Sequence, residues 1–142
     1  MKNRNIKHSD NWATPKELYN ELDKEFNFDF DPCPLNSSVD GLDEDLSWGK
    51  SNFVNPPYSL KLKTDFVKRA VKEKHKGNTC ILLLPVSTST KLFHEDILPN
   101  ADDIRFLKGR VKFIGTNTKG VLVSNKCGMH DTMVVIFKGK RK

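Results

Sequence analysis

Asn55-Pro56-Pro57-Tyr58 is the stretch of this chain best suited to chemistry. The Asn55 side-chain oxygen and the Pro56 carbonyl are two acceptors that together can hold both hydrogens of one amino group. That grip draws the nitrogen toward tetrahedral geometry and aims its lone pair, and orientation alone can supply much of a rate. Proline fixes its own φ and forces the preceding residue to be extended, so both acceptors are held in place. Tyr58 offers a ring on which a planar group can stack. The catalytic candidates are therefore Asn55, Pro56, Pro57 and Tyr58.

These residues need elements to carry them. Thr14-Pro15-Lys16-Glu17 reads as a helix start, with Thr14 as N-cap, Pro15 at the first helical position and Glu17 closing a capping box. Leu18, Leu22 and Phe26 follow as one apolar stripe. Phe28 to Asp31 predicts a short strand ending at Pro32, and Asn52 to Val54 a second one halted by Pro56-Pro57. Residues 33–51, rich in Asp, Ser, Asn and Gly, read as loop. A long helix is expected from Leu60 to His75. Leu62, Phe66, Val67, Ala70 and Val71 form its buried face, while Lys68, Arg69, Lys72 and Lys76 decorate the rest.

Gly77-Asn78 ends that helix, and Thr79 to Leu84 predicts a central parallel strand buried on both faces. Ser87 to Thr90 offers N-caps for a further helix with Leu92, Phe93 and Ile97 inward. Ile104 with Phe106, and Val111 with Phe113, alternate across Lys108-Gly109 as tightly joined strands. Gly115 to Gly128 reads as a flexible loop or hairpin, and Met133 to Phe137 as a last buried strand. The alternation implies an α/β fold, a compact and abbreviated Rossmann-like arrangement with a largely parallel sheet flanked by helices. Ligands of such sheets bind beyond the carboxyl ends of the strands, where Asp31-Pro32 and Asn55-Pro56 both fall.

The chain of 142 residues predicts one domain over 1–142, with flexible tails at 1–11 and 139–142. Its longest apolar run, Cys80 to Val86, is too short to cross a bilayer. The polar start resembles no secretory signal, so a cytoplasmic protein with no membrane partner is expected. Cys33, Cys80 and Cys127 are scattered and odd in number, which argues against disulfides and against a metal site. Residues 1–50 carry six Lys/Arg and eleven Asp/Glu, whereas residues 51–142 carry eighteen and seven, for a net charge of +6. An acidic front and a basic back suit a polyanionic partner gripped by the second half.

The tetrapeptide resembles the signature of amino-methyltransferases that use S-adenosylmethionine, Asn/Asp/Ser-Pro-Pro followed by an aromatic residue. The wider pattern resembles the phage-type DNA N6-adenine methyltransferase family. It includes Trp12-Ala13-Thr14-Pro15, Phe28-Asp29-Phe30-Asp31-Pro32-Cys33, Asp40-Gly41-Leu42 and Trp48. Leu83-Leu84-Pro85, Phe93-His94-Glu95 and Arg110-Val111-Lys112-Phe113 continue it across residues 10–115. The resemblance implies methyl transfer from S-adenosyl-L-methionine to the amino group of an adenine in double-stranded DNA, in a bacterial or phage-infected cell. It further implies a flipped-out base, because an adenine inside a duplex cannot be reached.

By the same resemblance, Trp12, Thr14, Pro15, Asp31, Pro32, Cys33 and Asp40 are the residues expected to hold the cofactor, with Asp31 accepting from its ammonium group. Asp45 is an alternative to Asp40 for the ribose or adenine end. The family's usual glycine-rich loop is replaced by Pro34-Leu35-Asn36. Lys61, Lys63, Arg105, Arg110 and Lys112 are the expected DNA contacts, with base reading assigned to the Gly115–Gly128 loop. Lys61 and Lys63 oppose the macrodipole at their helix start, a cost that a bound phosphate would offset. The small size implies recognition of a short site or weak specificity, with a homodimer left open. Two other readings stand beside this one: an amino-methyltransferase acting on RNA or a protein glutamine, and a DNA-binding protein that keeps the fold without turnover.

Overall fold

The computed structural model describes residues 12–34, 40–57, 59–109, 111, 114–116, 122–124 and 131–139. Along the chain run β1 (Trp12–Ala13), α1 (Lys16–Phe26), β2 (Ser51–Val54), α2 (Leu60–His75) and β3 (Thr79–Pro85). A wide helical turn over Leu92–Ile97 follows, then β4 (Asp103–Phe106), β5 (Ile114–Thr116), β6 (Leu122–Ser124) and β7 (Thr132–Phe137). The main sheet has the order β2-β3-β7-β4, and β1-β5-β6 form a small antiparallel sheet.

The main sheet is mixed, which corrects the expectation of a largely parallel one. β2 and β3 pair in parallel, but β7 is antiparallel to both β3 and β4. β2, β3 and β4 still point the same way, and the reversed β7 sits between two of them. An isolated apolar strand carries no mark of its direction, since burial on both faces demands the same residues either way. β7 is buried at all six positions.

Side chains alternate between the two faces as a pleated sheet requires. Phe53, Ile81, Leu83, Val134 and Ile136 meet Leu22 of α1, with Leu18, Tyr19 and Phe26 at the rim. Val54, Leu82, Leu84, Met133, Val135 and Phe137 meet Phe66, Val67 and Ala70 of α2 together with Leu92, Phe93 and Ile97. The α1 stripe is thus used as read, and the α2 stripe at Phe66, Val67, Ala70 and Val71, whereas Leu62 is only half-buried and joins neither cluster. α2 ends at Gly77, whose φ of 94° lies in the left-handed region that favours glycine. The Asn78 N–H returns to the Glu73 carbonyl there (2.9 Å).

Several local expectations change. Phe28–Asp31 contributes a single parallel bridge, Phe30 to Asn52, rather than a strand. Pro15, not Thr14, occupies the N-cap of α1, and no side chain caps that helix. β4 pairs with β7, and Phe106 is 62% exposed; the second strand expected across Lys108-Gly109, Val111 to Phe113, lies outside the described residues except for Val111. β5 and β6 pair antiparallel, the hairpin option for that region. Gly139, expected within a loose tail, donates its N–H to Thr79 Oγ1 (3.1 Å). Residues 1–11 and 140–142 lie outside the described residues, and no helix among those described is long and apolar enough to cross a membrane.

Candidate active site

Because Phe30 and β2 run in parallel, Asp31-Pro32-Cys33 and Asn55-Pro56-Pro57 leave the sheet at the same edge. The two loops touch: Cys33 Sγ donates to the Asn55 carbonyl at 3.2 Å. The Asn55 side chain is held as well, its Nδ2 donating to Thr14 Oγ1 at 3.1 Å. With the amide nitrogen turned to Thr14, the amide oxygen must face another direction, so the acceptor is oriented by the fold. This contact also explains why Thr14 is not a helix cap. Thr14 lies just beyond β1 and is carried to the site by its pairing with β5.

Asn55, Pro56 and Pro57 are all buried, as the corner of a strand running into a helix requires. Tyr58 lies outside the described residues. The side chain of Trp12 is likewise not among those described, although its backbone pairs with Gly115.

Asp40 joins this cluster. It is buried, and its Oδ1 accepts the Leu42 N–H at 3.0 Å while its carbonyl accepts the Asp43 N–H. The turn it starts is pressed onto Pro32: a Cβ on Gly41 would lie 1.8 Å from the Pro32 carbonyl oxygen. Only glycine permits that approach. Thr14, Asp31, Pro32, Cys33, Asp40 and Asn55 are therefore brought together, whereas Asp45 is exposed.

The electrostatics single out Asp31. Burial pushes its carboxyl up to about 6, and a hydrogen bond from the Cys33 N–H (2.9 Å) offsets only part of that. No ion pair reaches Asp31 among the described residues. Burial and the Asp31 charge together push the Cys33 thiol well above its usual range, so it remains a donor to Asn55. A desolvated carboxylate without a cation beside it suits a ligand that brings an ammonium group. The donor set therefore fits the methionine end of the expected cofactor.

Among the described residues, the predicted basic side chains do not gather. Arg105 sits on β4, at the sheet edge opposite β2, and its guanidinium holds both Glu25 carboxylate oxygens at 2.6 Å. Lys61 pairs with Asp65 one turn along α2, at 3.3 Å. Lys63 is different: it is half-buried beside Leu60, Pro85, Ser87 and Thr90, burial pushes its ammonium down, and no carboxylate meets it among the described residues. Arg110, Lys112 and nearly all polar residues of the Gly115–Gly128 loop lie outside the described residues. His94 and Glu95 are exposed.

Arg69, expected on the solvated face of α2, is instead half-buried against Glu73. The sequence did hold a signal, since Phe66, Ala70 and Glu73 share one helical face. Among the described residues no group of three His, Cys, Asp or Glu is placed to hold a metal ion.

A family model described as DNA N-6-adenine-methyltransferase (Dam) matches residues 2–142. A protein of Haemophilus phage HP1 (strain HP1c1) named DNA N-6-adenine-methyltransferase is 32% identical over 155 residues, which cover 99% of this chain and 86% of that protein.

Proposed function

The chain belongs to the DNA N-6-adenine-methyltransferase family. From that membership we infer that it transfers a methyl group from S-adenosyl-L-methionine to the N6 amino group of an adenine flipped out of double-stranded DNA. The observation that carries this reading is the Asn55 corner. Its amide is turned by Thr14 and its carbonyl is tethered by Cys33, at the sheet edge where Asp31 and Asp40 also converge. When bound, the cofactor supplies a methyl group on a positively charged sulfur that leaves with its electron pair as a neutral thioether.

Asn55 Oδ1 and the Pro56 carbonyl take the two amino hydrogens and set the nitrogen lone pair toward the methyl. The new N–C bond makes the nitrogen cationic, and one hydrogen leaves as a proton along the same contacts, so no strong base is needed first. Tyr58 stacks on the extruded adenine, worth about 1–3 kcal/mol by comparison with other base–aromatic stacks. Asp31 receives the ammonium of the methionine end, and Cys33 keeps the two loops together. Trp12, Thr14, Pro15, Pro32 and Asp40 complete the wall on that side. Lys61 and Lys63, at the start of the helix that leaves the tetrapeptide, face the DNA backbone. Arg105 does not, because both oxygens of Glu25 grip its guanidinium at 2.6 Å, whereas Lys61 meets Asp65 through a single exposed contact at 3.3 Å. The reaction belongs to the cytoplasm of a bacterial or phage-infected cell.

Incubation with methyl-labelled cofactor and duplex DNA should place the label on adenine. Asn55→Ala should lower turnover about 10³-fold, the scale of losing one preorganised polar group at a reacting centre. Turnover near wild type in that variant would sink the reading. Label that survives nuclease digestion in macromolecular form would instead point to a protein substrate. DNA affinity without cofactor binding in a calorimeter would point to a binding protein.

A further inference from the structure

Arg69 projects from the middle of α2 and is almost completely engaged. Its Nε donates to Glu73 Oε2 at 2.9 Å, its Nη1 to the Asp43 carbonyl at 3.2 Å and its Nη2 to the Leu46 carbonyl at 2.6 Å. The guanidinium plane lies over the Trp48 ring, 4.9 Å from its centroid. Glu73 is only 2% exposed and also accepts from Asn78 Nδ2 at 2.9 Å. A buried ion pair of this kind is a poor source of stability, because desolvation offsets much of its attraction. Its geometry is specific, however: a planar fork grips two backbone carbonyls of one turn.

That turn is the one that carries Asp40. The Asp43 N–H donates to the Asp40 carbonyl, the Leu46 N–H to the Asp43 carbonyl, and Trp48 Nε1 to the Gly41 carbonyl at 2.9 Å. Gly41 in turn lies against the Pro32 backbone. A continuous set of contacts thus runs from Arg69 through residues 40–48 to the Asp31–Cys33 loop and on to the Asn55 carbonyl. Lysine could keep the charge opposite Glu73 but could not hold both carbonyls and cover Trp48 at once.

We propose that Arg69, supported by Glu73 and Trp48, is a positioning residue for the donor side of the active site: it fixes the 40–48 turn, and with it Asp40 and Gly41, against the Asp31–Cys33 loop. The proposal rests on the reading of those residues as the donor wall. Its signature is selective, because the DNA-facing residues Lys61 and Lys63 lie in the first turn of α2, before Arg69, and make none of these contacts.

The test uses the full chain with Arg69→Lys, Trp48→Phe and Asp40→Asn, measuring S-adenosyl-L-methionine affinity by calorimetry, duplex affinity by fluorescence anisotropy, and melting without ligands. Arg69→Lys is expected to weaken cofactor binding about tenfold, the loss of roughly one charge-assisted hydrogen bond, and to raise the cofactor KM alike. Duplex affinity and kcat at saturating cofactor should stay within about twofold. Trp48→Phe keeps the aromatic face but loses the bond to Gly41, and should act in the same direction more weakly. It carries the test by the same criteria should Arg69→Lys not fold.

Unchanged cofactor affinity in Arg69→Lys overturns the proposal. So does a loss of cofactor and duplex affinity in equal measure with a lowered melting temperature, which would make the clasp merely structural. Unchanged cofactor affinity in Asp40→Asn alongside a weakened Arg69→Lys retains the clasp and overturns instead the assignment of Asp40 to the donor wall.

Discussion

Asn52 and Asn55 stand three residues apart at the two ends of one strand, and the fold spends them differently. Asn52 is fully buried at the start of β2. Its Oδ1 accepts the Gly49 N–H at 2.8 Å, and its Nδ2 donates to the Gly49 and Thr79 carbonyls at 2.9 and 3.0 Å. Asn55 lies at the end of β2, where its Nδ2 meets the Thr14 hydroxyl and its backbone meets a thiol. The aspartates before them repeat the contrast. Asp29 takes the N–H groups of Lys50 and Ser51 and ties the start of the sheet together. Asp31 has one described hydrogen bond, from Cys33, and a carboxyl raised by burial. One end of the sheet uses its polar groups to complete backbone hydrogen bonds. At the other, the Asn55 side chain is held by the Thr14 hydroxyl, and the Asp31 carboxyl is desolvated with no ion pair among the described residues.

Substitution of the two asparagines is the sharpest way to break this comparison. Asn55→Ala should abolish most turnover and leave melting near wild type. Asn52→Ala should do the reverse: stranding the Gly49 N–H and the Thr79 carbonyl costs about 3 kcal/mol or more, while turnover per folded molecule survives. Equal effects of both variants on melting would erase the distinction.

The aspartates give the next largest effect. Because burial raises Asp31 from 3.8 to about 6, the folded chain without cofactor binds that proton more tightly than the unfolded chain does. Its stability should therefore fall as pH rises through that window, and Asp31→Asn should remove the slope. With Asp31 in its proposed role the cofactor meets a charged carboxylate, so affinity should drop as pH falls below about 6 in wild type and be weak and flat in Asp31→Asn. A wild-type affinity independent of pH between 5 and 7, measured by calorimetry at about one-unit steps, would contradict the role of Asp31.

The smallest effects concern the cations. Lys63→Ala should weaken duplex binding and flatten its log–log salt dependence by about 0.9, as for one lost phosphate contact. Arg105→Ala should leave the salt slope unchanged, since its guanidinium is already committed to Glu25 on an exposed edge. Identical slopes for the two variants would remove the difference between a spare cation and a paired one.

Much of the fold was legible because it is written in short-range patterns. α2 begins and ends where its stripe and Gly77 predict, and β3 and β7 match their apolar runs to within one residue. The Asn55 corner was legible for the same reason: diproline stiffness is local. Arg69 reads as solvated because a charged residue on a helix ordinarily is; the face it shares with Phe66 and Glu73 hints at burial, but only the fold shows that residues 43–48 cover it. The sequence reads Arg105 as a ligand for polyanions because its partner, Glu25, stands eighty residues earlier and leaves no local trace.

By itself, the amino-acid order determined which segments are helical or extended and where the chain turns stiffly through Asn55-Pro56-Pro57, since periodicity and proline geometry act over a few residues. Tertiary structure alone decided the direction of β7, the turning of the Asn55 amide by Thr14, the approach of Gly41 to Pro32, and which cations remain available. Each of these depends on groups far apart in the chain, whose meeting is set by how buried surfaces and hydrogen bonds are satisfied together rather than by any local preference.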